Sequence, residues 1–340
     1  MLLKYIIYKG IETISAIYLE GEAREMVFAY MEDVFGIGKL THILDPDRSL
    51  PEPAVQKALA DFGRMASGEP LQYVTGMAHF YGRKFCVTPD VLIPRQETEL
   101  LCNELLYAMA SKATHSLAGD GIYSPPPVHS SSQQTSPLEI LDMCTGSGCI
   151  AWTLALEMPL SKVTALDISD GALAVASEQD FAEEMSRTGA VKPRFIKADV
   201  LRSPEECAEL WAEHIPDNTA SNRSGEMHKF DIIVSNPPYV MDSEKAAMRT
   251  NVLDHEPHLA LFVPDEDPLK FYRAVAEWSV KLLKEDGVGM VEINEALGCG
   301  TAEVFSQMGF GYTEIVRDLH EKDRFVRFSK VPFSKKNRFF

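Results

Sequence analysis

An acceptor-rich loop is encoded at Asn236, Pro237, Pro238 and Tyr239, directly after the apolar run FDIIVS. The two prolines lack a backbone N–H and have a fixed φ, so they cannot continue a strand. The Asn236 side chain and the Pro237 carbonyl accept hydrogen bonds, and the prolines add no competing donor. Such a loop suits a planar –NH2 group, whose flat face Tyr239 can cover. The alternative is an ordinary strand exit closed by two prolines.

Gly146 and Gly148 belong to a second stretch that could do chemistry, LDMCTGSGCIA. The pattern is typical of a strand, a tight turn and a helix N-terminus, and its glycines let a ligand approach the backbone closely. The same spacing matches the dinucleotide fingerprint, so NAD binding is one alternative. A turn made only for packing is another.

Three aspartates at predicted strand ends separate these alternatives. Asp142 precedes the glycine turn, where a carboxylate favours a cation over a pyrophosphate. Asp167 ends the next strand and can bind both hydroxyls of a ribose, while Asp199 ends a third strand within reach of an adenine amino group. The ordered series that runs from Asp142 to Asn236 therefore favours an adenosine that carries a positively charged sulfonium.

These residues require a sheet that brings the strand ends together. Strands that alternate with helices are the signature of an α/β protein with a doubly wound sheet, in which ligands bind beyond the carboxyl ends of the strands. The predicted strands lie near 138–142, 163–167, 194–197, 231–235, 288–293, 311–317 and 324–329.

The chain is predicted to divide at about residue 70. Residues 1–70 space their apolar side chains helically, which predicts a small all-α domain. Residues 71–95 alternate β-branched and aromatic residues around two glycines, which predicts a linking β-hairpin. The sheet domain takes residues 96–340, starting with a helix, and contains two polar, aperiodic insertions at 119–137 and 215–228.

Charge and composition limit the classes of partner. The 340 residues include 33 Lys and Arg against 50 Asp and Glu, a net charge of −17. That balance repels phosphate backbones, so stable nucleic-acid binding is not expected. No apolar run approaches the roughly 20 residues of a membrane span, and the N-terminal segment does not resemble a signal peptide. Six scattered cysteines without a C-x-x-C pair predict reduced thiols in a cytoplasmic protein.

Several stretches resemble one family. They are QYVTGMAHFYG, VLIPRQETELL, LDMCTGSGCIA, IIVSNPPYV, HEPHLALF and DLHEKDRFV. The aspartate and glycine series is similar to class I S-adenosylmethionine-dependent methyltransferases, and the stretches together resemble release-factor glutamine methyltransferases of the HemK/PrmC type over nearly the whole chain. Two positions depart from the family's pattern. Cys144 stands at its first loop glycine, and Gln96 stands at the proline usual after Ile-Pro-Arg.

The resemblance implies a seven-stranded, Rossmann-like methyltransferase domain. It implies methyl transfer from S-adenosylmethionine to the side-chain amide nitrogen of the glutamine in the Gly-Gly-Gln motif of class I peptide-chain release factors, with S-adenosylhomocysteine as the product and no metal. Asn236, Pro237, Pro238 and Tyr239 then act as catalytic and substrate-binding residues. The expected cofactor contacts are Asp142, Cys144, Thr145, Gly146, Ser147, Gly148, Asp167, Asp199, Val200 and Asn236.

Other functions are compatible with parts of this pattern. Adenine and guanine also carry planar amino groups, so the loop at Asn236 fits a DNA or RNA methyltransferase, although the acidic charge counts against one. An inert S-adenosylmethionine sensor or scaffold and an NAD-dependent oxidoreductase are further alternatives. Because one side-chain amide offers too few contacts to select a protein, residues 1–70 are expected to help recognise the release factor. We expect a monomer.

Overall fold

The computed structural model describes residues 1–117, 137–207 and 227–332. Except at residues 137, 227 and 228, the two predicted insertions lie outside the described residues. Along the described residues, no helix is both long and apolar enough to cross a bilayer.

The N-terminal region is helical, as its apolar spacing predicts. Gly10 lets two of its helices pack closely, since a Cβ there would lie 2.7 Å from the Phe62 ring. Buried polar groups join the helices as well: the Tyr30 hydroxyl donates to the Asp61 carboxylate over 2.6 Å. The helices are α1 Leu3–Ile14, α2 Glu20–Phe35, α3 Lys39–Leu44, α4 Glu52–Ala66 and α5 Leu71–Thr75.

The linking segment differs from its prediction at its start. Leu71–Thr75 forms α5 rather than hairpin, because Val74 packs into the helical core and Gly76 ends the helix with φ 74°. The hairpin follows as β1 Met77–Phe80 and β2 Arg83–Cys86. Its two turn residues, Tyr81 and Gly82, both have positive φ, as a two-residue type I′ turn requires.

A seven-stranded sheet forms the centre of the rest of the chain, which confirms the predicted fold class. Its strands are β3 Glu139–Met143, β4 Lys162–Asp167, β5 Arg194–Lys197, β6 Phe230–Ser235, β9 Leu283–Glu292, β10 Tyr312–Arg317 and β11 Asp323–Ser329. The order is β10-β11-β9-β6-β3-β4-β5. β11 runs antiparallel to both of its neighbours, and the other pairs are parallel. Two short strands, β7 Val240–Met241 and β8 Phe262–Val263, pair separately.

Helices cover both faces of the sheet, which is why its central strands are almost continuously apolar. One face packs against Tyr272, Trp278 and Phe305, and the other against Leu101 and Trp152. The helices are α6 Gln96–Leu117, α7 Cys149–Glu157, α8 Asp170–Ser177, α9 Ala182–Thr188, α10 Thr250–His255, α11 Lys270–Leu282 and α12 Gly298–Gln307.

Polar contacts attach the helical region to the remainder of the chain. The Asp33 carboxylate on α2 accepts hydrogen bonds from Lys84 over 2.8 Å and from His79 over 2.9 Å, both on the hairpin. These bonds lower the pKa of Asp33 although burial acts to raise it. Glu22 on α2 pairs with Arg249, just before α10, over 2.7 Å. The hairpin and α10 therefore orient the helical region.

Candidate active site

A cavity opens at the carboxyl ends of β3, β4, β5 and β6, where the strand order reverses direction and α/β sheets bind ligands. The structure brings together here most of the residues that the sequence predicts for the site. Those that line the cavity are Cys144, Thr145, Gly146, Ser147, Asp167, Asp199, Val200, Asn236 and Pro238.

The glycine loop has an unusual backbone. Cys144, Gly146 and Gly148 all have positive φ, at 61°, 55° and 79°. A non-glycine residue in this region costs about 1 kcal/mol, which gives a physical reason for the family's glycine where Cys144 stands. At Gly148 an added Cβ would lie only 3.0 Å from Ala176 and 3.1 Å from Trp152, whereas at Gly146 it would meet nothing within 4 Å. Gly146 therefore leaves room for a ligand.

Buried polar groups hold the loop from behind. Gln179 is only 5% exposed, accepts a hydrogen bond from the Cys86 N–H over 2.8 Å, and donates to the Ser147 carbonyl over 3.2 Å. It thus joins the hairpin to the glycine loop. The Thr145 N–H donates to the Leu166 carbonyl over 2.9 Å, which fixes the loop against β4.

Asp142 lies within β3, fully buried beneath the loop rather than in the wall of the cavity. One oxygen accepts the Thr145 hydroxyl over 2.6 Å, and the other has no hydrogen-bond partner among the described residues. Burial raises its pKa to about 7; the Thr145 bond opposes that rise, and the nearby Asp167 charge adds to it. Asp142 therefore supports the loop through Thr145, and direct contact with a ligand stays a prediction.

The Asp167 carboxylate at the end of β4 accepts two backbone N–H groups. Gly146 donates to one oxygen over 2.9 Å and Ser169 to the other over 3.0 Å. Burial raises the pKa of Asp167, and these bonds act against the rise. Each oxygen keeps a second lone pair, so the carboxylate can accept further donors from a ligand. Asp199, beyond β5, accepts the Leu201 N–H over 2.9 Å.

The loop that begins at Asn236 is fixed by its neighbours. The Ser235 hydroxyl donates to the Met143 carbonyl over 2.7 Å, which joins the ends of β6 and β3. Asn236 donates through Nδ2 to the Thr98 hydroxyl oxygen over 3.3 Å. Tyr239 packs its ring against the core beneath the sheet, and its hydroxyl donates to Glu292 over 3.1 Å. The stacking of Tyr239 on a substrate amide stays a prediction, as does acceptance by the Pro237 carbonyl.

Two further segments of the cavity wall were not predicted from the sequence. They are the segments 90–95 and 257–260. Glu256, only 4% exposed, joins them, because its carboxylate accepts from the Arg95 guanidinium over 2.6 Å and from the Ile93 N–H over 3.2 Å. The available signal was the pair of stretches HEPHLALF and VLIPRQETELL, which the resemblance included without a role. Within the described residues, no group of three or more His, Cys, Asp or Glu side chains could hold a metal ion.

Known proteins similar to this chain cover nearly all of it. A family model described as the PrmC N-terminal domain matches residues 9–76. The release factor glutamine methyltransferase of Flavobacterium psychrophilum is 31% identical over 327 residues, covering 96% of this chain and 99% of that protein. The enzyme of the same name from Bacteroides thetaiotaomicron is 33% identical, covering 93% and 95%. That from Chlorobaculum tepidum is 35% identical, covering 86% and 85%.

Proposed function

The chain belongs to the release factor glutamine methyltransferase family, and we propose on that basis that it methylates the glutamine side chain in the Gly-Gly-Gln motif of class I peptide-chain release factors. Within the structure, the observation that carries the proposal is the position of the Asn236 side chain. This side chain lines the cavity and donates a hydrogen bond through Nδ2 to Thr98, which leaves Oδ1 as an acceptor for a substrate amide N–H.

S-adenosylmethionine fits the residues of the cavity. The open space beside Gly146 lets a ligand approach the backbone, and the free lone pairs of Asp167 suit the two hydroxyls of a ribose. Asp199 stands one strand further, where an adenine amino group is expected. The carboxylates of Asp167 and Asp199 in the cavity wall also suit a cationic ligand. When bound, this cofactor supplies an electrophilic methyl group; the proposed product is S-adenosylhomocysteine, and no metal is proposed.

An amide nitrogen is a weak nucleophile because its lone pair is delocalised into the carbonyl. In the proposed mechanism, Asn236 Oδ1 and the Pro237 carbonyl accept the two N–H groups of the substrate amide and hold its nitrogen in one orientation. As the nitrogen gains positive charge, the same two acceptors bind it more strongly, which lowers the barrier selectively. No side chain has to remove a proton before attack; after transfer, the positively charged nitrogen gives up one of its two protons to water along the hydrogen bonds that hold it.

The experiment that tests this function is the intact mass of a purified class I release factor after incubation with the enzyme and S-adenosylmethionine. We expect a gain of one methyl group, and none when the glutamine of Gly-Gly-Gln is replaced by alanine. Asn236→Ala should reduce turnover about a hundredfold with little effect on folding, since it removes an acceptor that strengthens in the transition state. Normal turnover by that variant would contradict the proposed clamp.

The same experiment with DNA and RNA in place of the release factor tests the main alternative, a nucleic-acid methyltransferase, because the amino groups of adenine and guanine fit the same acceptors. Methylation of nucleic acid but not of the release factor would replace the proposed substrate. The net charge of −17 supports the protein substrate, whose ribosome-binding surface is expected to be basic in places.

We also propose that the enzyme acts in the cytoplasm as a monomer, without stable binding to nucleic acid.

A further inference from the structure

We propose that Thr98 and Glu292 are positioning residues that set the orientation of the Asn236 side-chain amide, so that Oδ1 rather than Nδ2 faces the substrate. This inference rests on the proposed function, because it concerns the acceptor that holds the substrate amide. It gives a role to the stretch VLIPRQETELL, which contains Thr98, and to DLHEKDRFV, which approaches Glu292 from the neighbouring strand.

The three side chains form a continuous hydrogen-bonded chain from the core to the cavity. Glu292 ends β9 and is 1% exposed, and Thr98 lies in the first turn of α6 and is 2% exposed. The Thr98 hydroxyl donates to Glu292 Oε2 over 2.7 Å and accepts from Asn236 Nδ2 over 3.3 Å. The other oxygen of Glu292 accepts the Tyr239 hydroxyl over 3.1 Å.

The direction of this chain follows from the number of protons. An ionised carboxylate only accepts hydrogen bonds, and a threonine hydroxyl has one proton. Since Thr98 gives that proton to Glu292, its oxygen can only accept from Asn236. The Asn236 amide must therefore present Nδ2 to Thr98 and keep Oδ1 for the cavity. Rotated by half a turn, Asn236 would offer a donor to the –NH2 group of the substrate, and two donors cannot bond to each other.

Burial leaves the pKa of Glu292 above its ordinary value, and Arg324 with the two hydroxyl donors favours the ionised form that this direction needs. Arg324 on β11 contributes a positive charge nearby, and Asp318 holds the guanidinium in place over 3.0 and 3.2 Å. Burial raises the pKa of Glu292, with a smaller contribution from Glu97, while the Thr98 and Tyr239 hydroxyls and Arg324 act against that rise. A protonated Glu292 could donate to Thr98 and release the Thr98 proton to Asn236 Oδ1.

The experiment compares kcat, KM for the release factor and S-adenosylmethionine affinity in Thr98→Val, Thr98→Ser and wild type. Valine keeps the shape of threonine without the hydroxyl, so kcat should fall about tenfold or more while cofactor affinity stays within about twofold; serine should restore kcat. Thr301→Val is the matched control, because Thr301 is fully buried and its hydroxyl has no partner among the described residues. It should leave kcat unchanged.

The double variant Thr98→Val with Asn236→Ala distinguishes positioning from a general structural effect. If Thr98 acts through Asn236, the valine substitution should change kcat less than about twofold once Asn236 is alanine. Normal kcat in Thr98→Val, or an equal further loss in the double variant, would overturn the inference. Should Thr98→Val fail to fold, Glu292→Leu replaces it. This substitution removes the carboxylate that accepts the Thr98 hydroxyl proton, which leaves that proton free to bond to Asn236 Oδ1. The same changes in kcat and cofactor affinity are expected, alone and combined with Asn236→Ala. Failure of wild type to methylate the release factor would refute the proposed function instead.

Discussion

Asp167 is the residue whose replacement tests the cofactor site most directly. Its two carboxylate oxygens accept the Gly146 and Ser169 N–H groups, each oxygen keeps a second lone pair, and Asp167 lines the cavity. If these lone pairs bind the two ribose hydroxyls, Asp167→Ala removes two hydrogen bonds to a charged acceptor. Such a loss costs on the order of 2–4 kcal/mol of binding free energy. The dissociation constant for S-adenosylmethionine should then rise about 30- to 1,000-fold.

The same substitution should change the free energy of unfolding much less than the binding free energy. It leaves two backbone N–H groups without their acceptor, which destabilises the glycine loop. It also removes a carboxylate whose pKa is raised by burial, so part of that cost is offset. Asp167→Asn keeps the shape and one carbonyl oxygen, and should fall between wild type and alanine in affinity.

Isothermal titration calorimetry with S-adenosylmethionine measures this effect, and thermal denaturation measures the change in stability. Asp170→Asn is the matched control, because that carboxylate is three residues away, is 78% exposed and pairs with Lys197. It should bind the cofactor as wild type does. Unchanged affinity in Asp167→Ala would refute the placement of Asp167 in the cofactor site, and NADH binding of comparable strength in wild type would favour a dehydrogenase.

Three further predictions test other parts of the chain. Because the pKa of Asp142 is raised to about 7, the folded state binds its proton more tightly than the unfolded state does, and wild type should lose stability as pH rises from about 4 to 7. Asp142→Asn should flatten this dependence, as measured by chemical denaturation at several pH values. Glu256→Ala should lower the free energy of unfolding by about 1–3 kcal/mol and weaken cofactor binding in calorimetry, since Arg95 loses its partner. A chain of residues 77–340 should keep cofactor affinity yet lose most of its kcat/KM for intact release factor, and equal efficiency would exclude a docking role for the helical region.

The sheet could be predicted because its strands carry local signals. The runs at 163–167 and 231–235 are short and mostly apolar on both faces, which is what burial between two helical layers demands. The run at 194–197 forms an edge strand with a charged residue at each end. Each of the three lies within a residue of the observed strand. The glycine loop was predictable for the same reason, since positive φ at Gly146 and Gly148 strongly restricts the residues that fit there.

The parts that sequence reasoning missed depend on tertiary contacts. Tyr73, Val74 and Thr75 are aromatic or β-branched and locally favour a strand, yet they form the end of α5, where Val74 packs into the helical core. Thr98 and Glu292 are 194 positions apart, so no local pattern indicates that they share a hydrogen bond. The burial of Asp142 beneath the loop follows from the register of β3 and not from its place near a strand end, while its contact with a ligand stays a prediction.

The position of Glu292 gives a physical reason why a neutral side chain, that of Asn236, suits the role of the proposed substrate acceptor. A carboxylate at position 236 would add a negative charge beside Asp167 and Asp199, which also line the cavity. The amide of Asn236 avoids that repulsion, but a neutral oxygen is the weaker acceptor. Connected hydrogen bonds polarise one another in a low-dielectric interior. The negative charge of Glu292 polarises the Thr98 hydroxyl, and through it the N–H bond of Asn236 Nδ2. This polarisation increases the negative partial charge on Asn236 Oδ1, while the charge of Glu292 itself stays buried.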